Sequence, residues 1–200
     1  MNPPLIVIGG GKGTRMANFM PNIPKLLLPL SNNETILSRI VHEIAASRYF
    51  FALGKDAYKI INILKTFNID HQISIEDKPL GTFGALKLIV HKYYHLMPTH
   101  VLVILGDLVC TEFNDYQLKA LKNFKKADGN FFFYTKNNHP HDSDRIEVDK
   151  NEKINLLIKK NENSSRTFIN KTVSGIYYLN VHDILNSKIA SGDIILDYLP

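Results

Sequence analysis

Short, continuously apolar segments recur along this chain of 200 residues and alternate with segments of helical periodicity. LIVI, at residues 5–8, precedes ETILSRIVHEIAAS, in which apolar residues recur at the spacing of one helix face. The next pairs are YFFAL with DAYKIINILKTF, and ISIE with a helix predicted over residues 84–94, before VLVIL. Because the apolar segments show no polar alternation, both faces of each strand are expected to be buried. The alternation predicts an α/β fold with a doubly wound sheet built from parallel βαβ units.

The pattern changes beyond Tyr134. A helix predicted over residues 115–126 and the segment NFFFY extend the alternation, whereas RIEVDKNEKINLLI indicates two short strands around a turn at residues 149–152. TVSGIYYLN follows as another strand, and SGDIILDYLP has a helical pattern that stops at Pro200. These segments predict a small antiparallel appendage on a mostly parallel sheet. No repeat or linker divides the chain, so residues 1–200 are expected to form one domain, truncated at its C-terminus.

The composition limits the class of ligand. The chain has a formal net charge of +5, yet its Lys and Arg residues are scattered instead of forming a basic helix or arm. Such an excess suits anionic small molecules, and no aromatic and basic platform for nucleic acid is evident. No apolar stretch approaches the roughly 18 to 20 residues of a membrane span, and the N-terminus lacks the pattern of a signal peptide. A cytoplasmic protein that binds neither nucleic acid nor membrane is therefore expected.

The stretch GGGKGTRM, which follows LIVI, is typical of a phosphate-binding loop. A Walker loop has Ser or Thr after its Lys, but here Gly13 follows Lys12. The dinucleotide fingerprint has a third glycine where this chain has Thr14, and a helix begins at once. The closely spaced prolines of MPNIPKLLLPL exclude that helix. We therefore predict an extended loop whose backbone N–H groups contact a polyphosphate, while Arg15 and Lys25 supply positive charge.

Two further motifs follow strands of the predicted sheet. Asp107, in LGD, comes directly after VLVIL, at the strand end where open α/β sheets bind ligands. Its carboxylate can hold Mg²⁺ against phosphate oxygens, or it can cap the following turn. In EDKPLGTFGALK, Gly81 and Thr82 lie in a tight turn between strand and helix, with N–H groups expected to be free. These motifs and the glycine loop follow predicted strands one, three and four, which we expect to be neighbours that line one cleft.

The order of these motifs is specific. GGGKGTRM, PKLLLPL, PLGTFGAL, LGD and VSGIYYLN together resemble the motifs of the sugar-1-phosphate nucleotidyltransferases, over nearly the whole chain. The resemblance implies a Rossmann-like, GT-A-like fold with a mostly parallel sheet flanked by helices. It also implies an enzyme that joins a nucleoside triphosphate to a sugar 1-phosphate and releases pyrophosphate, with Mg²⁺ as its cofactor.

The resemblance also assigns roles by position. Arg15 and Lys25 would contact the triphosphate and stabilise the transition state, and Asp107 would ligate Mg²⁺. Lys159 or Lys160 would hold the sugar phosphate, where the family has a Lys-Pro pair whose proline is absent here. The residues expected to contact the nucleotide from the glycine loop and the second turn are Gly9, Gly10, Gly11, Gly13, Thr14, Gly81 and Thr82.

Two motifs depart from the family pattern. In KTVSGIYYLN, Val173 stands where an asparagine is common, and Gly175 is the residue expected beside the sugar phosphate. The family's second metal-binding Asp belongs to a later DIGTP-like motif, which these 200 residues lack. A nucleotide- or sugar-sensing regulatory domain that has lost catalysis is therefore the alternative to an enzyme.

The base and the sugar are predicted from two local features. Glu76 ends the third predicted strand, and a carboxylate there can accept hydrogen bonds from guanine N1–H and N2–H, which favours GTP; the alternative is a surface Glu before a turn. NNHPHDSDRIEVDKNEKI is similar to a subgroup associated with D-glycero-D-manno-heptose 1-phosphate guanylyltransferases, often fused to a phosphatase of the haloacid dehalogenase type. The resemblance thus allows a heptose or hexose 1-phosphate, a homo-oligomer and a phosphatase domain beyond Pro200 as partners.

Overall fold

A computed structural model describes residues 2–10, 20, 23–108, 129–137, 143–159 and 171–198 of the chain. Within these ranges, the strands and α-helices in chain order are β1 (Leu5–Ile8), β2 (Pro29–Ser31), β3 (Glu34–Thr35), α1 (Ile36–Glu43), β4 (Tyr49–Leu53), α2 (Ala57–Leu64), β5 (His71–Ile75), α3 (Gly81–Tyr93), β6 (His100–Leu105), β7 (Phe131–Lys136), β8 (Arg145–Val148), β9 (Ile154–Ile158), β10 (Lys171–Asn180) and α4 (Val181–Asn186). The structure also contains 3-10 turns at Lys25–Leu27 and Tyr94–Leu96 and a π-helical turn at Ile194–Tyr198.

Six of the described strands form one sheet in the order β5-β4-β1-β6-β10-β7. The pairs β5 with β4, β4 with β1 and β1 with β6 are parallel, whereas β10 is antiparallel to both of its neighbours. The mostly parallel α/β sheet is therefore confirmed. The strand of NFFFY, β7, runs in the direction of the parallel strands but does not pair with β6, because β10 lies between them.

The expectation that predicted strands one, three and four are neighbours is wrong in one respect. VLVIL lies in β6 and pairs with β1, but ISI lies in β5, and β4 separates β5 from β1. The chain steps outward from β1 through β4 to β5 before it returns to β6 on the other side of β1. Residues that follow β5 must therefore reach across the end of β4 to join the loops that follow β1 and β6.

Both faces of the sheet are buried at its centre, as the apolar strands predict, whereas the edge strands β5 and β7 are only partly buried. All of β1 is buried, and its side chains alternate between two hydrophobic clusters. Leu5 and Val7 pack with residues of α1 and α2, whereas Ile6 and Ile8 pack with residues of α3. Each fully buried aliphatic side chain contributes about 1.5–3 kcal/mol relative to exposure. This two-sided burial fixes β1 at the centre of the sheet.

Thr35 caps α1, and the helix therefore begins where the sequence predicts. Its hydroxyl accepts a hydrogen bond from the Ser38 N–H at 3.2 Å, and the Ser38 hydroxyl accepts one from the Thr35 N–H at 2.8 Å. This reciprocal capping satisfies two N–H groups that the first turn of the helix cannot pair. The helix predicted over residues 84–94 begins earlier, at Gly81, and ends at Tyr93.

β8 and β9 form a separate antiparallel pair around the turn at residues 149–152, so the predicted appendage is confirmed. The Asp149 carboxylate stabilises this turn by accepting from the N–H groups of Asn151 and Lys153, at 2.8 and 3.0 Å. Instead of the predicted C-terminal helix, the structure has the π-helical turn. The helix predicted over residues 115–126 lies outside the described residues. No helix in the described ranges is long and apolar enough to cross a membrane.

Candidate functional site

The loops that follow β1 and β6 meet at the carboxyl edge of the sheet. The two strands pair in register to their last residues, Ile8 and Leu105. Beyond them, the Gly106 N–H donates to the Ile8 carbonyl at 2.9 Å, and a Cβ on Gly106 would lie 3.2 Å from the Gly9 Cα. The glycine loop and the LGD motif therefore start in contact, as predicted, at the edge where open α/β sheets bind ligands.

Leu26 is buried at this edge of the sheet and anchors the segment that carries Lys25. Leu26 has no solvent exposure, and its methyl groups occupy the space that side chains at Gly9 and Gly106 would need, 2.5 and 3.1 Å from a Cβ at each glycine. Its neighbour Lys25 begins the 3-10 turn, and the Lys25 Nζ lies 2.8 Å from the Asp107 Oδ2. Two residues predicted for one site, 82 positions apart in the sequence, are therefore brought together.

The Lys25 and Asp107 side chains are 36% and 49% exposed, so this ion pair lies at the surface of the cleft. An exposed pair of this kind contributes about 0–1 kcal/mol to stability, because water solvates both charges well. Both groups can therefore exchange partners at low cost. Across the described residues, no cluster of three or more His, Cys, Asp or Glu side chains could hold a metal ion.

Glu76 reaches the glycine loop although β5 does not adjoin β1. Successive carbonyls at the end of β4 hold both segments: Ala52 accepts from the Gly9 N–H at 2.8 Å, and Leu53 accepts from the Glu76 N–H at 2.9 Å. A Cβ on Gly10 would lie 2.5 Å from the Glu76 Oε1, so the carboxylate occupies the space beside Gly10. The end of β4 thus bridges the gap that the strand order creates.

The Glu76 side chain is not a surface group. The residue is 7% exposed, and its Oε2 accepts a hydrogen bond from the Leu80 N–H at 3.1 Å. The alternative of a surface Glu before a turn is therefore wrong. A buried carboxylate needs hydrogen-bond donors, because desolvation of an unpaired charge is costly. One donor is provided by the turn at residues 76–80, and the other oxygen faces the glycine loop.

The second predicted turn packs against residues near the end of the described chain. Gly81 has a φ of +78°, and the N–H of Phe83, inside the turn, donates to the Gly192 carbonyl at 2.9 Å. The expectation of free N–H groups is therefore wrong at Phe83. The Thr82 hydroxyl donates to the Asp193 carboxylate at 3.1 Å. The sequence had not singled out Asp193; its only local signal is its place directly before the apolar residues of SGDIILDYLP.

The described residues that were predicted to bind the sugar phosphate, Gly175 and Lys159, lie in two different parts of the structure. Gly175, with a φ of +82°, lies in β10 where the register with β7 shifts, and a Cβ there would lie 3.2 Å from side-chain atoms of Leu105 and Leu108. It is therefore beside the loop that carries Asp107. Lys159 follows β9 in the appendage. The remaining predicted residues lie outside the described ranges: Gly11, Gly13, Thr14, Arg15 and Lys160.

Tyr177, in β10, is a buried polar residue that the sequence did not single out. It has no solvent exposure and packs in the cluster between the sheet and α3, where its hydroxyl has no hydrogen-bond partner among the described residues. Burial raises the pKa of the Tyr177 hydroxyl far above its usual range, and the negative charges of Asp193, Asp107 and Asp144 raise it further. The side chain therefore stays neutral and is not an acid or base for the site.

Comparison with known proteins places this arrangement in a family. The family model described as nucleotidyl transferase matches residues 5–193. A mannose-1-phosphate guanyltransferase of Debaryomyces hansenii is 27% identical over 193 residues, covering 92% of this chain and 52% of the relative. One of Candida albicans is 30% identical over 130 residues, covering 62% of this chain and 34% of the relative. This chain thus spans about half the length of the curated relatives, or less.

A solved structure has the same fold. The crystal structure of HddC from Yersinia pseudotuberculosis aligns with 99% of this chain and 85% of its own, at a TM-score of 0.78 and 23% sequence identity. HddC has also been solved in complex with GMP-PN, and that structure gives a TM-score of 0.75 at 22% identity. At this level of identity the match supports the Rossmann-like fold implied by the sequence motifs.

Proposed function

Because this chain belongs to the nucleotidyl transferase family, we propose that it transfers the nucleotidyl group of GTP to a sugar 1-phosphate and releases pyrophosphate. One observation carries the proposal: the Lys25 ammonium and the Asp107 carboxylate lie 2.8 Å apart at the carboxyl edge of the sheet, where the loops after β1 and β6 meet. The two guanyltransferase relatives support the same class of reaction.

In the proposed reaction, a phosphate oxygen of the sugar 1-phosphate attacks the α-phosphorus of GTP, and the bond to pyrophosphate breaks. The chain aligns the two phosphates and neutralises charge, so no covalent enzyme intermediate is required. Lys25 would exchange its exposed contact with Asp107 for one with phosphate oxygens. Arg15, which lies outside the described residues, is proposed to supply a second cation from the glycine loop.

Nucleotidyltransferases of this family generally use a divalent metal, and we propose that Asp107 holds Mg²⁺ here. Asp107 fits this role because its carboxylate is half exposed, directly after the end of β6. Within the described ranges, this carboxylate accepts a hydrogen bond from the Lys25 ammonium at the surface. Mg²⁺ is usually held by one or two carboxylates together with phosphates and water. When bound, the ion supplies neutralisation of charge on the phosphate oxygens.

Guanine is the base that the burial of Glu76 favours. The carboxylate is fixed by the Leu80 N–H, and its other oxygen lies beside Gly10, on the loop proposed to carry the nucleotide. Guanine offers two adjacent donors, N1–H and N2–H, to a carboxylate, whereas adenine offers no such pair. A buried acceptor rejects a base that lacks the matching donors, because the acceptor would then stay unpaired.

The sugar is proposed to be a heptose or a hexose such as mannose. The appendage motif supports a heptose, and the curated relatives support mannose. Gly175 lies beside the loop of Asp107, which supports a place for the sugar phosphate between β10 and that loop. Lys159 is the described lysine proposed to bind it.

A pyrophosphate-release assay with a panel of nucleotides and sugar 1-phosphates tests the proposal. We expect GTP to be the preferred nucleotide, and we expect Glu76→Gln to abolish that preference, because an amide presents a donor to guanine N1–H. Faster turnover with UTP or CTP, with an unchanged preference in Glu76→Gln, would contradict the assignment of guanine. Binding of GTP with no release of its pyrophosphate in the presence of any of the sugar 1-phosphates would favour a regulatory domain instead.

A further inference from the structure

Residues 187–198 follow α4 and lie along the N-terminal half of α3. The Lys87 Nζ donates to the carbonyls of Ser187 and, at 3.2 Å, Ile189. One turn earlier on α3, a Cβ on Gly84 would lie 3.1 Å from the Ala190 carbonyl oxygen. The Tyr198 ring stacks on the Phe83 ring with centroids 4.3 Å apart. The segment is therefore fixed to one face of α3 by polar and apolar contacts.

Two glycines allow the backbones of this segment and of the turn before α3 to approach closely. The Gly192 N–H donates to the Leu80 carbonyl, and the Phe83 N–H donates to the Gly192 carbonyl, both at 2.9 Å. A Cβ on Gly81 would overlap the Gly192 carbonyl. Both glycines have positive φ angles, +78° for Gly81 and +146° for Gly192, which favour glycine on conformational grounds as well.

Thr82 and Asp193 add a side-chain connection to these backbone bonds. The Thr82 hydroxyl donates to the Asp193 Oδ2 at 3.1 Å and accepts from the Ile194 N–H at 2.9 Å. The Asp193 Oδ1 accepts from the Ile195 N–H at 2.8 Å. The only proton of the Thr82 hydroxyl is thus used within the protein, and hydrogen bonds to a charged group are stronger than neutral ones.

Leu80 links this connection to the carboxylate of Glu76. Its carbonyl accepts from Gly192, and its N–H donates to the Glu76 Oε2 at 3.1 Å. The backbone of Leu80 is therefore held at its carbonyl by residues 187–198 and contacts the carboxylate through its N–H. The second oxygen of that carboxylate faces Gly10.

We propose that Thr82 and Asp193 are positioning residues that set the preference of the site for guanine. They act through Leu80, which holds the Glu76 carboxylate beside Gly10. This role takes the place of the nucleotide contact that the family motifs imply for Thr82, because its hydroxyl already bonds Asp193 and Ile194. This inference rests on the proposed function, because it assigns Glu76 to the base. The phosphates are proposed to bind at Lys25 and Asp107, and neither residue belongs to this connection. Loss of the connection therefore affects recognition of the base and spares recognition of the phosphates.

The test compares the Kd for GTP with the Kd for ATP, measured by calorimetry on the full chain. Thr82→Val removes the hydroxyl at nearly constant volume, and Asp193→Asn weakens the same bond from its other end. In both variants we expect the ratio of the Kd for ATP to the Kd for GTP to fall about tenfold, which corresponds to about 1.4 kcal/mol of discrimination. The loss should lie in the binding of GTP, with the binding of ATP unchanged. Thr82→Ser keeps the hydroxyl and should restore the ratio.

Thr66→Val is the matched control, because the Thr66 hydroxyl donates only to the Ile63 carbonyl at the exposed end of α2. A merely structural role for Thr82 would weaken both nucleotides equally, and that result overturns the inference. An unchanged ratio in a folded Thr82→Val or Asp193→Asn variant overturns it as well. If Glu76→Gln itself keeps the guanine preference, the proposed recognition of guanine by Glu76 fails together with the inference. If Glu76→Gln loses the preference while Thr82→Val and Asp193→Asn keep it, only the inference fails.

Discussion

The two sides of the cleft are built in opposite ways. On the side of β6, Lys25 and Asp107 form an exposed ion pair, and Leu26 beside Lys25 is buried. On the side of β5, the carboxylate of Glu76 is buried and hydrogen-bonded, and its turn is fixed by Thr82 and the residues that follow α4. Exposed charges exchange partners easily, whereas a buried group keeps one geometry. The first side is suited to binding phosphates, and the second is suited to discrimination between bases.

The largest effect is expected when the cation on the exposed side is removed. Lys25→Ala should lower turnover roughly 10²–10³-fold, as is usual when a cation or donor that stabilises a transition state is removed. The melting temperature should change little, because the ion pair is exposed. Steady-state kinetics and thermal unfolding measure both quantities. Lys59→Ala, at an exposed ion pair on α2, is the control and should leave turnover unchanged; full activity of Lys25→Ala would contradict the assignment.

On the buried side, Gly10→Ala should weaken binding of GTP about tenfold or more. The added methyl group would lie 2.5 Å from the Glu76 Oε1 and must displace the carboxylate. Binding of ATP should suffer less, since it makes no use of that carboxylate. Titration of the variant with both nucleotides distinguishes this outcome from general damage to the glycine loop, in which both affinities would fall by the same factor.

A change in stability sharpens the comparison further. Gly81→Ala should lower the free energy of unfolding by about 2–4 kcal/mol, because the new side chain would be strained at positive φ and would overlap the Gly192 carbonyl. Gly129→Ala is the matched control: its φ is also positive, but no atom of the described residues lies within 4 Å of the added Cβ. Denaturant unfolding should show the smaller loss in the control. Equal losses would mean that the contact with Gly192 adds nothing.

The smallest expected effect concerns alkaline pH. Burial, with a further contribution from the Asp183 charge, raises the pKa of Tyr198 to about 12. An unfolded tyrosine ionises near pH 10, so the unfolded chain loses this proton first, and the stabilising contribution is complete below pH 10. It should decline as the pH rises from about 10 to 12. Tyr198→Phe keeps the ring on Phe83 and should make unfolding less sensitive to pH in this window; an identical profile would contradict the prediction.

Local patterns predicted much of the fold because a strand that is buried on both faces is a continuously apolar segment in the sequence. LIVI, YFFAL and VLVIL form strands of the sheet, and the helical spacing of ETILSRIVHEIAAS corresponds to α1. The order of the strands was not predicted, because β4 and β5 both follow helices and the connections alone do not show which of the two lies beside β1. The expected contact between predicted strands one and three therefore failed at this point.

In the candidate site, too, residues with a local sequence signal could be predicted, whereas residues that depend on distant contacts could not. Asp107 could be predicted because a charged residue directly after a glycine and a buried strand has few structural reasons to be there. Lys25 could be predicted from its place in the PKLLLPL motif that follows the glycine loop. Asp193 could not, since its contact with Thr82 joins residues 111 positions apart and depends on the way a later segment packs. The burial of Glu76 was equally hidden, because it depends on two neighbouring carbonyls at the end of β4.

The position of β10 has a consequence for how the chain folds during synthesis. β5, β4, β1 and β6 can assemble once residues up to 105 are available, but β6 then exposes its free edge until residues 171–180 emerge. An unpaired apolar edge is a site for association with other chains. Pairing between strands distant in sequence is also slow, because a long loop must close first. Nascent chains that stall between these two points should therefore be the form of this protein most prone to aggregate.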